Sequence, residues 1–385
     1  MNYIKLGQAI SRAKVSRCGD NDYPVLSITM KDGIVMQSDK FKKRIASKDI
    51  SEYKVIPAGM LVQGIHMDEG NFGIQDIVPH GIVSPAYTVW TVDESVVFPK
   101  YIEMVLRSPR CIDYYRSKLN GTVNRRGHMS EGDFLGMQIP CPSIEEQKHV
   151  VTTMNQVKQV MISLTEEMTA LDQLIKARFV EMFGDPEYNN KGWPLKKLND
   201  LCNIGSSKRI YQEEQTMDGV PFWRISDLVS KMDTGNVESS LFIPESRYEE
   251  LKEQGLVPES GDILVTSRGT LGRCYIVDPD DRFYFQDGMI SWLSKYSDEI
   301  TPLYIQYLFD MSGFRKQIDG LQAGSTVAYL SIAMLKKLNV MVPSRKLQEQ
   351  FAVFVSQVDK SKVVVQEALE KAQLLFDSLM QQYFG

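Results

Sequence analysis

Two stretches of about 40 residues dominate this sequence, because each carries an apolar residue at alternating steps of four and three. In the first, the seam is Val150, Met154, Val157, Met161, Leu164, Met168, Leu171 and Ile175. In the second it is Phe351, Phe354, Val358, Val365, Leu375 and Leu379, with Ser361, Ala368 and Ala372 completing the spacing. A stripe this narrow suits a helix packed on one partner helix better than a helix lying on a broad core. Forty helical residues at about 1.5 Å each make a rod of roughly 60 Å. The alternative is a helix lying on its own domain.

The rods also end two copies of one plan. Met182-Phe183-Gly184 precedes Tyr383-Phe384-Gly385 by 201 positions, and Pro142-Ser143 precedes Pro343-Ser344 by 201. Tyr101-Ile102 precedes Tyr304-Ile305 by 203, and Glu146-Gln147 precedes Glu349-Gln350 by 203. Upstream the match thins to scattered points, such as Lys5-Leu6 with Lys197-Leu198 and Pro57-x-Gly59-x-Leu61-Val62 with Glu259-Ser260-Gly261-Asp262-Ile263-Leu264. A long repeat with one part kept and the other diverged implies a shared scaffold carrying two different readers. Ser143, with Glu146 three residues on, forms a capping box at the start of the first rod. Gly184-Asp185-Pro186 stops it.

The diverged parts read as mixed and β-rich. Strands are expected at 23–29, 33–37, 60–65, 82–92 and 138–140 in the first copy. In the second they are expected at 221–225, 262–266, 273–277, 283–285, 289–294 and 339–342. Each copy also has an expected helix, over 99–115 and 302–318, with Pro99 and Pro302 in a first turn that tolerates proline. The fold class is therefore α+β: two β-rich domains in tandem, separated by and ending in long helices. These helices pair as an antiparallel coiled coil with pseudo-two-fold symmetry. The expected boundaries are 1–143, 144–184, 185–343 and 344–385.

Chemistry is thin. There is no G-x-x-x-x-G-K-[ST], no G-x-G-x-x-G, no G-x-S-x-G and no Asn/Asp-Pro-Pro-aromatic segment. The four histidines, His66, His80, His128 and His149, show no ligand spacing, and five scattered cysteines form no C-x-x-C pair. This speaks against a metal site or a disulfide framework and for a reducing cytoplasm. No apolar run is long enough to span a bilayer. The sequence reads as a binding or organising protein rather than an enzyme, with no metal and no cofactor of its own.

The net charge, 44 − 49 = −5, is acidic, whereas lone DNA binders are usually basic. Positive charge is nevertheless clustered locally. Lys40, Lys42, Lys43 and Arg44 fall within five residues, and Arg125 and Arg126 follow Gly121-Thr122. The second copy carries Ser206-Ser207-Lys208-Arg209, the loop Arg268-Gly269-Thr270-Leu271-Gly272-Arg273, and the small-residue loop at Ser325-Thr326. Glycine-rich loops allow close backbone approach, hydroxyls bond phosphates, and arginine pairs with guanine edges. These residues are the candidate DNA contacts. The alternative for any one of them is a solvated surface loop.

Two diverged domains, each followed by a similar long helix, resemble the specificity subunit of type I restriction-modification enzymes. The sharpest match is Ala177-Arg178-Phe179-x-x-Met182-Phe183-Gly184-Asp185-Pro186, continued by Asn190-Lys191-Gly192-Trp193-Pro194-Leu195-Lys196-Lys197-Leu198. The Pro-Ser openings of the helices, Gly205-Ser206-Ser207-Lys208 and the Gly269-to-Gly272 loop are also family-like. The resemblance implies a non-catalytic subunit in which each target-recognition domain reads half of a bipartite double-stranded DNA site. The helices would then set the gap and dock two modification (methyltransferase) subunits. Those partners would carry S-adenosylmethionine and methylate adenine, and motor subunits would join for restriction. The first copy lacks the Gly-Thr-x-Gly loop, and its counterpart starts at Gln63-Gly64-Ile65-His66. A coiled-coil protein scaffold without DNA readout is the alternative function.

Overall fold

The computed structural model describes residues 2–30, 32–40, 49–118, 129–322 and 328–385. Lys42, Lys43, Arg44, Arg125, Arg126, Ser325 and Thr326 therefore lie outside the described residues. The chain forms two compact units. The first comprises 1–165 with 366–385, and the second comprises 166–365. The division passes through the middle of both long helices, Ile144–Phe183 and Arg345–Phe384.

The first unit is built on an antiparallel sheet of β1 (Ile10–Arg12), β2 (Leu61–Gln63), β3 (Phe72–Ile74) and β4 (Thr88–Val92), in the order β1-β4-β2-β3. Tyr3–Lys5 pairs with Gln138–Pro140 beside it. The sequence-expected helix over 99–115 is two helices, Pro99–Leu106 and Pro109–Lys118. Pro109 cannot continue the first helix, since it has no N–H and its ring would strike the carbonyl four residues back. The expected strand over 82–92 is likewise two, His80–Val83 and Thr88–Val92, with a turn at Ser84–Tyr87 between them.

The second unit repeats the sheet with β5 (Asn203–Gly205), β6 (Ile263–Thr266), β7 (Cys274–Ile276) and β8 (Ile290–Ser294), in the order β5-β8-β6-β7. The connectivity matches the first unit strand for strand. Leu195–Lys197 pairs with Asn339–Met341 as Tyr3–Lys5 does with Gln138–Pro140. The inserts between the first two strands of each sheet differ. In the first unit Leu26–Thr29 and Gly33–Met36 form a hairpin, and Lys54–Pro57 pairs with the more distant His80–Val83. In the second, Val220–Trp223 pairs in parallel with Tyr284–Phe285, and two helices, Ile225–Thr234 and Glu245–Glu253, were not anticipated from the sequence. The expected helix over 302–318 breaks at Met311, whose backbone is extended (φ −74°, ψ 133°) and whose side chain enters the core with Phe309 and Phe314.

Each unit has its own core, and helices complete it. In the first unit Val150, Val151 and Met154 of one long helix and Phe384 of the other join Phe72, Trp90, Tyr101 and Phe134. Phe384 lies 5.6 Å from Tyr101, ring to ring. In the second unit Phe179 and Phe183 pack against Phe351 at 5.5 and 5.4 Å and against Tyr304 at 5.4 and 4.9 Å.

Within each unit the two helical segments run antiparallel. Lys158 sits over the Phe376 ring in the first unit. In the second, Lys362 pairs with Asp172 at 2.7 Å while Arg178 sits over Phe354. All eight expected seam residues of the first helix, Val150 to Ile175, are buried or half-buried. On the second helix Phe351, Phe354, Val358, Val365 and Leu379 also face inward, but Leu375 does not. It is 51% exposed, and Phe376 packs in its place. The buried stripe includes Val355, Lys362, Phe376 and Tyr383, one residue later at alternate steps than the pattern suggested. Because Leu374, Leu375 and Phe376 are consecutive, the apolar pattern alone admits more than one register there.

The helix starts are built alike. Ser143 and Glu146 form the expected capping box, with Ser143 Oγ donating to Glu146 Oε2 at 2.7 Å and Glu146 N–H donating back at 3.4 Å. Gln147 accepts from Phe98 N–H at 2.7 Å and donates to the Val96 and Pro142 carbonyls. Gln348 accepts from Thr301 N–H at 2.8 Å and donates to the carbonyls of Glu299 and Pro343 at 2.8 and 2.9 Å. Gln147 therefore corresponds to Gln348, not to Gln350, and the 201-residue offset runs unbroken from Pro142 to the end.

At the close of the first helix Gly184 takes φ +83°, and a Cβ there would lie 2.2 Å from Asn190 Oδ1. Trp193 Nε1 donates to the Phe183 carbonyl at 2.8 Å and covers that helix end. Among the described residues no helix is long and apolar enough to cross a membrane.

Candidate nucleic-acid interface

In an antiparallel sheet the loops at one end come from alternate strands, so residues far apart in sequence meet there. At one end of the second unit's sheet lie the segment leaving β5 (206–209), the β6–β7 loop (267–273) and the segment entering β8 (286–289). The candidate residues Ser206, Ser207, Lys208, Arg209, Arg268, Thr270 and Arg273 all fall on this rim.

The rim is tied together from within. Ser206 Oγ donates to the Ile290 carbonyl at 3.2 Å. Ser207 is buried, and its hydroxyl donates to the Phe285 carbonyl at 2.7 Å. Its part is to hold the loop, since its hydroxyl is buried and already committed to that carbonyl. Lys208 N–H donates to the Tyr284 hydroxyl at 2.8 Å. Burial of that tyrosine pushes its pKa up to about 12, so it stays protonated. Ser267 and Ser291 share a hydroxyl–hydroxyl bond of 2.8 Å.

The β6–β7 loop is a rigid turn. Gly269 and Gly272 have φ of +68° and +71°. Gly272 is also crowded, since a Cβ would meet Ile318 Cδ1 at 2.9 Å. Thr266 Oγ1 donates to the Thr270 carbonyl and accepts from Arg273 N–H at 3.0 Å. Below it, Asp262 accepts from Trp292 Nε1 and Glu259 N–H at 2.8 and 2.9 Å, and burial pushes its carboxyl above the usual range.

Ion pairing sorts the rim's basic residues. Arg209 is paired with Asp287 at 3.0 Å, and Arg273 with Asp233 at 2.6 Å. Lys208 is exposed and has no ion pair among the described residues. Arg268 is exposed, and its guanidinium lies over the Tyr329 ring at 5.2 Å. Tyr329, Asp287 and Asp233 escaped the sequence reading. A tyrosine three positions after Ala323-Gly324-Ser325-Thr326 was the available signal, since an aromatic near a small-residue loop suits stacking.

The first unit's corresponding loop, between β2 and β3, is built differently. It holds a short 3-10 turn, Met67–Glu69, closed by Gly70 at φ +73°. It exposes Ile65 and His66 and adds the acids Asp68 and Glu69. Trp90 Nε1 donates to Gln63 at 2.8 Å beneath it. Lys40 ends the short helix Gln37–Lys40 and pairs with Asp32 at 2.6 Å. Among the described residues no cluster of three or more His, Cys, Asp or Glu side chains could hold a metal ion.

Residues 190–373 match the type I restriction modification DNA specificity domain. A putative type I restriction enzyme specificity subunit of Haemophilus influenzae is 23% identical over 270 residues, covering 67% of this chain and 64% of that protein. The MjaVIII specificity subunit of Methanocaldococcus jannaschii is 23% identical over 353 residues, covering 86% of this chain and 77% of its own length. The chain thus spans just under two thirds of the Haemophilus protein.

Among solved structures, one concerned with complex assembly and conformational transition of the type I R-M system has a chain that matches with a TM-score of 0.62. The match has 15% identity and covers 100% of this chain and 97% of that one. The type I restriction-modification S subunit from M. genitalium matches with a TM-score of 0.53 at 15% identity, covering 100% of this chain and 96% of that one. These two likenesses establish the fold. Residues 190–373 carry the type I restriction modification DNA specificity domain, and the chain as a whole is similar to type I restriction enzyme specificity subunits.

Proposed function

We propose that this chain is the DNA-recognition subunit of a cytoplasmic type I restriction-modification complex and performs no chemistry itself. Each unit reads one half of a bipartite double-stranded target. The paired helices, related by pseudo-two-fold symmetry, set the distance between the halves. Two modification subunits dock on the helices, bring S-adenosylmethionine and methylate adenine. Motor subunits join that assembly for restriction.

The observation that carries this reading is one sheet topology used twice with two unlike rims. The order β1-β4-β2-β3 recurs as β5-β8-β6-β7, while the hairpin loops differ in length, charge and hydrogen bonding. The scaffold is kept where it meets the helices and changed where it would meet bases. Exposed apolar residues on the helices, such as Ile162, Val363, Val364 and Leu374, each at least half exposed, support protein docking there. Partners also ease the electrostatics, because phosphate binding requires cationic contacts that a chain of charge −5 does not supply alone.

The test is exchange of residues 1–143 for the equivalent part of another specificity subunit, followed by sequencing of methylated DNA from a host carrying the intact system. One half of the modified sequence changes and the other half and the gap stay. Removing seven residues from each helix shortens the gap and leaves both halves. An unaltered methylation pattern in both experiments defeats the proposal.

A further inference from the structure

We infer that Arg268, held by Tyr329, is the residue with which the second unit distinguishes one guanine in its half-site, and that Lys208 beside it contacts phosphate only. This deepens the DNA-recognition reading and rests on it.

Electrostatic availability comes first. Four basic side chains share the rim. Arg209 and Arg273 are already neutralised by Asp287 and Asp233. To bind a phosphate or a base, each would first have to give up its carboxylate. Arg268 and Lys208 have no such partner among the described residues.

Geometry then separates these two. Tyr329 is fixed on three sides. Its N–H donates to Gln322 Oε1 at 2.9 Å, and its carbonyl accepts from Gln322 Nε2 at 2.9 Å. The next residue, Leu330, donates its N–H to the Ser267 carbonyl at 3.0 Å. The ring therefore stands against the hairpin loop, and the Arg268 guanidinium lies over it. A guanidinium fixed by stacking loses little freedom when it forms two parallel hydrogen bonds, which guanine O6 and N7 require.

The loop that carries it is equally fixed. Ser267 N–H donates to the Met289 carbonyl at 2.9 Å, and Gly269 and Gly272 occupy conformations that other residues rarely adopt. Lys208 has the opposite character. Only its backbone is anchored, through Tyr284. Its ammonium is a mobile point charge, which suits phosphate and carries no base information.

The experiment uses the full subunit assembled with its modification subunits. Methylated DNA from a host carrying the system defines the target, and domain exchange identifies the half read by the second unit. Binding is then measured to duplexes in which each base pair of that half is replaced in turn. Arg268→Ala lowers discrimination at one G·C pair about ten- to hundred-fold and leaves the first half-site's discrimination intact. Arg268→Lys, which keeps the charge and perturbs the fold least, loses the same preference, and it decides the matter if the alanine variant fails to assemble. Tyr329→Leu weakens discrimination at that same pair, and Tyr329→Phe restores it. Lys208→Ala weakens all duplexes alike and reduces the salt-dependence slope by about one.

Uniform weakening by Arg268→Ala, or no change in preference, overturns the assignment while leaving the DNA-recognition reading in place. A wild-type complex with no sequence preference at either half overturns both.

Discussion

Replacing Gln348 by leucine tests whether the buried glutamines fix the helices to their sheets. Gln348 is 1% exposed, and its amide satisfies three backbone groups: Thr301 N–H, Glu299 C=O and Pro343 C=O. Leucine has a similar size and no polar atom, so all three groups lose their partner without a large cavity forming. A buried polar group left unpaired costs about 1–3 kcal/mol. Three of them give about 3–9 kcal/mol before relaxation, and the leucine's own burial returns about 1.5–3 kcal/mol. The difference spans about 0–7.5 kcal/mol and centres on about 4 kcal/mol, a large share of a domain's stability.

Urea unfolding followed by tryptophan fluorescence reads this, since Trp193, Trp223 and Trp292 all lie in the second unit. Amide exchange localises it, because the Thr301 amide should lose protection first. Gln348→Glu is similarly destabilising at neutral pH, where its oxygens face two carbonyls. It recovers on acidification, because a protonated carboxyl can donate again. Gln147→Leu has the same effect in the first unit, seen at the Phe98 amide. A loss below about 1 kcal/mol for Gln348→Leu would refute the reasoning, because it would mean that water or backbone shifts satisfy those groups at almost no cost.

Three further outcomes are expected. Phe376→Ala destabilises the first unit by about 1.5–3 kcal/mol, less than a fully buried phenylalanine would. Leu375→Ala changes stability by under about 0.5 kcal/mol; paired denaturation curves check the register of the second helix. Asp262 has a folded-state pKa above its ordinary 3.8, so the native state binds its proton more tightly, and stability falls as pH rises from that value through the raised one. Asp262→Asn keeps the acceptor for Trp292 and Glu259, removes this pH dependence and melts no lower than wild type at pH 7. Burial pushes the Cys202 thiol up to about 12 and raises those of Cys111, Cys141 and Cys274. Alkylation of these four in native protein at pH 8 should therefore be slow, becoming fast in urea.

The long helices were legible because a heptad seam and a capping box are local signals. The expected 144–184 and 344–385 became Ile144–Phe183 and Arg345–Phe384. Strands at 138–140, 262–266, 289–294 and 339–342 were legible for the same reason, being short apolar runs between turn residues. What escaped depended on tertiary context. The register at Leu375 was ambiguous because three apolar residues are adjacent. The helix Glu245–Glu253 has a weak stripe and packs only after distant strands assemble, whereas Ile225–Thr234 carries Ile225, Leu228, Val229 and Met232 at helical spacing, a stripe hidden by the strand-like run just before it. In the candidate interface the residue types were legible but their availability was not. That Arg209 and Arg273 are neutralised follows from Asp287 and Asp233, 78 and 40 residues away.

The presence of residues 366–384 in the first unit bears on how the chain matures at the ribosome. Phe384 sits against Tyr101, so residues 1–165 wait for a segment made about 200 residues later before their interior can close. Until residues 366–384 have emerged, that half presents an open apolar notch to chaperones and proteases. A stop codon placed before residue 376 should therefore damage the first unit as well as the second helix.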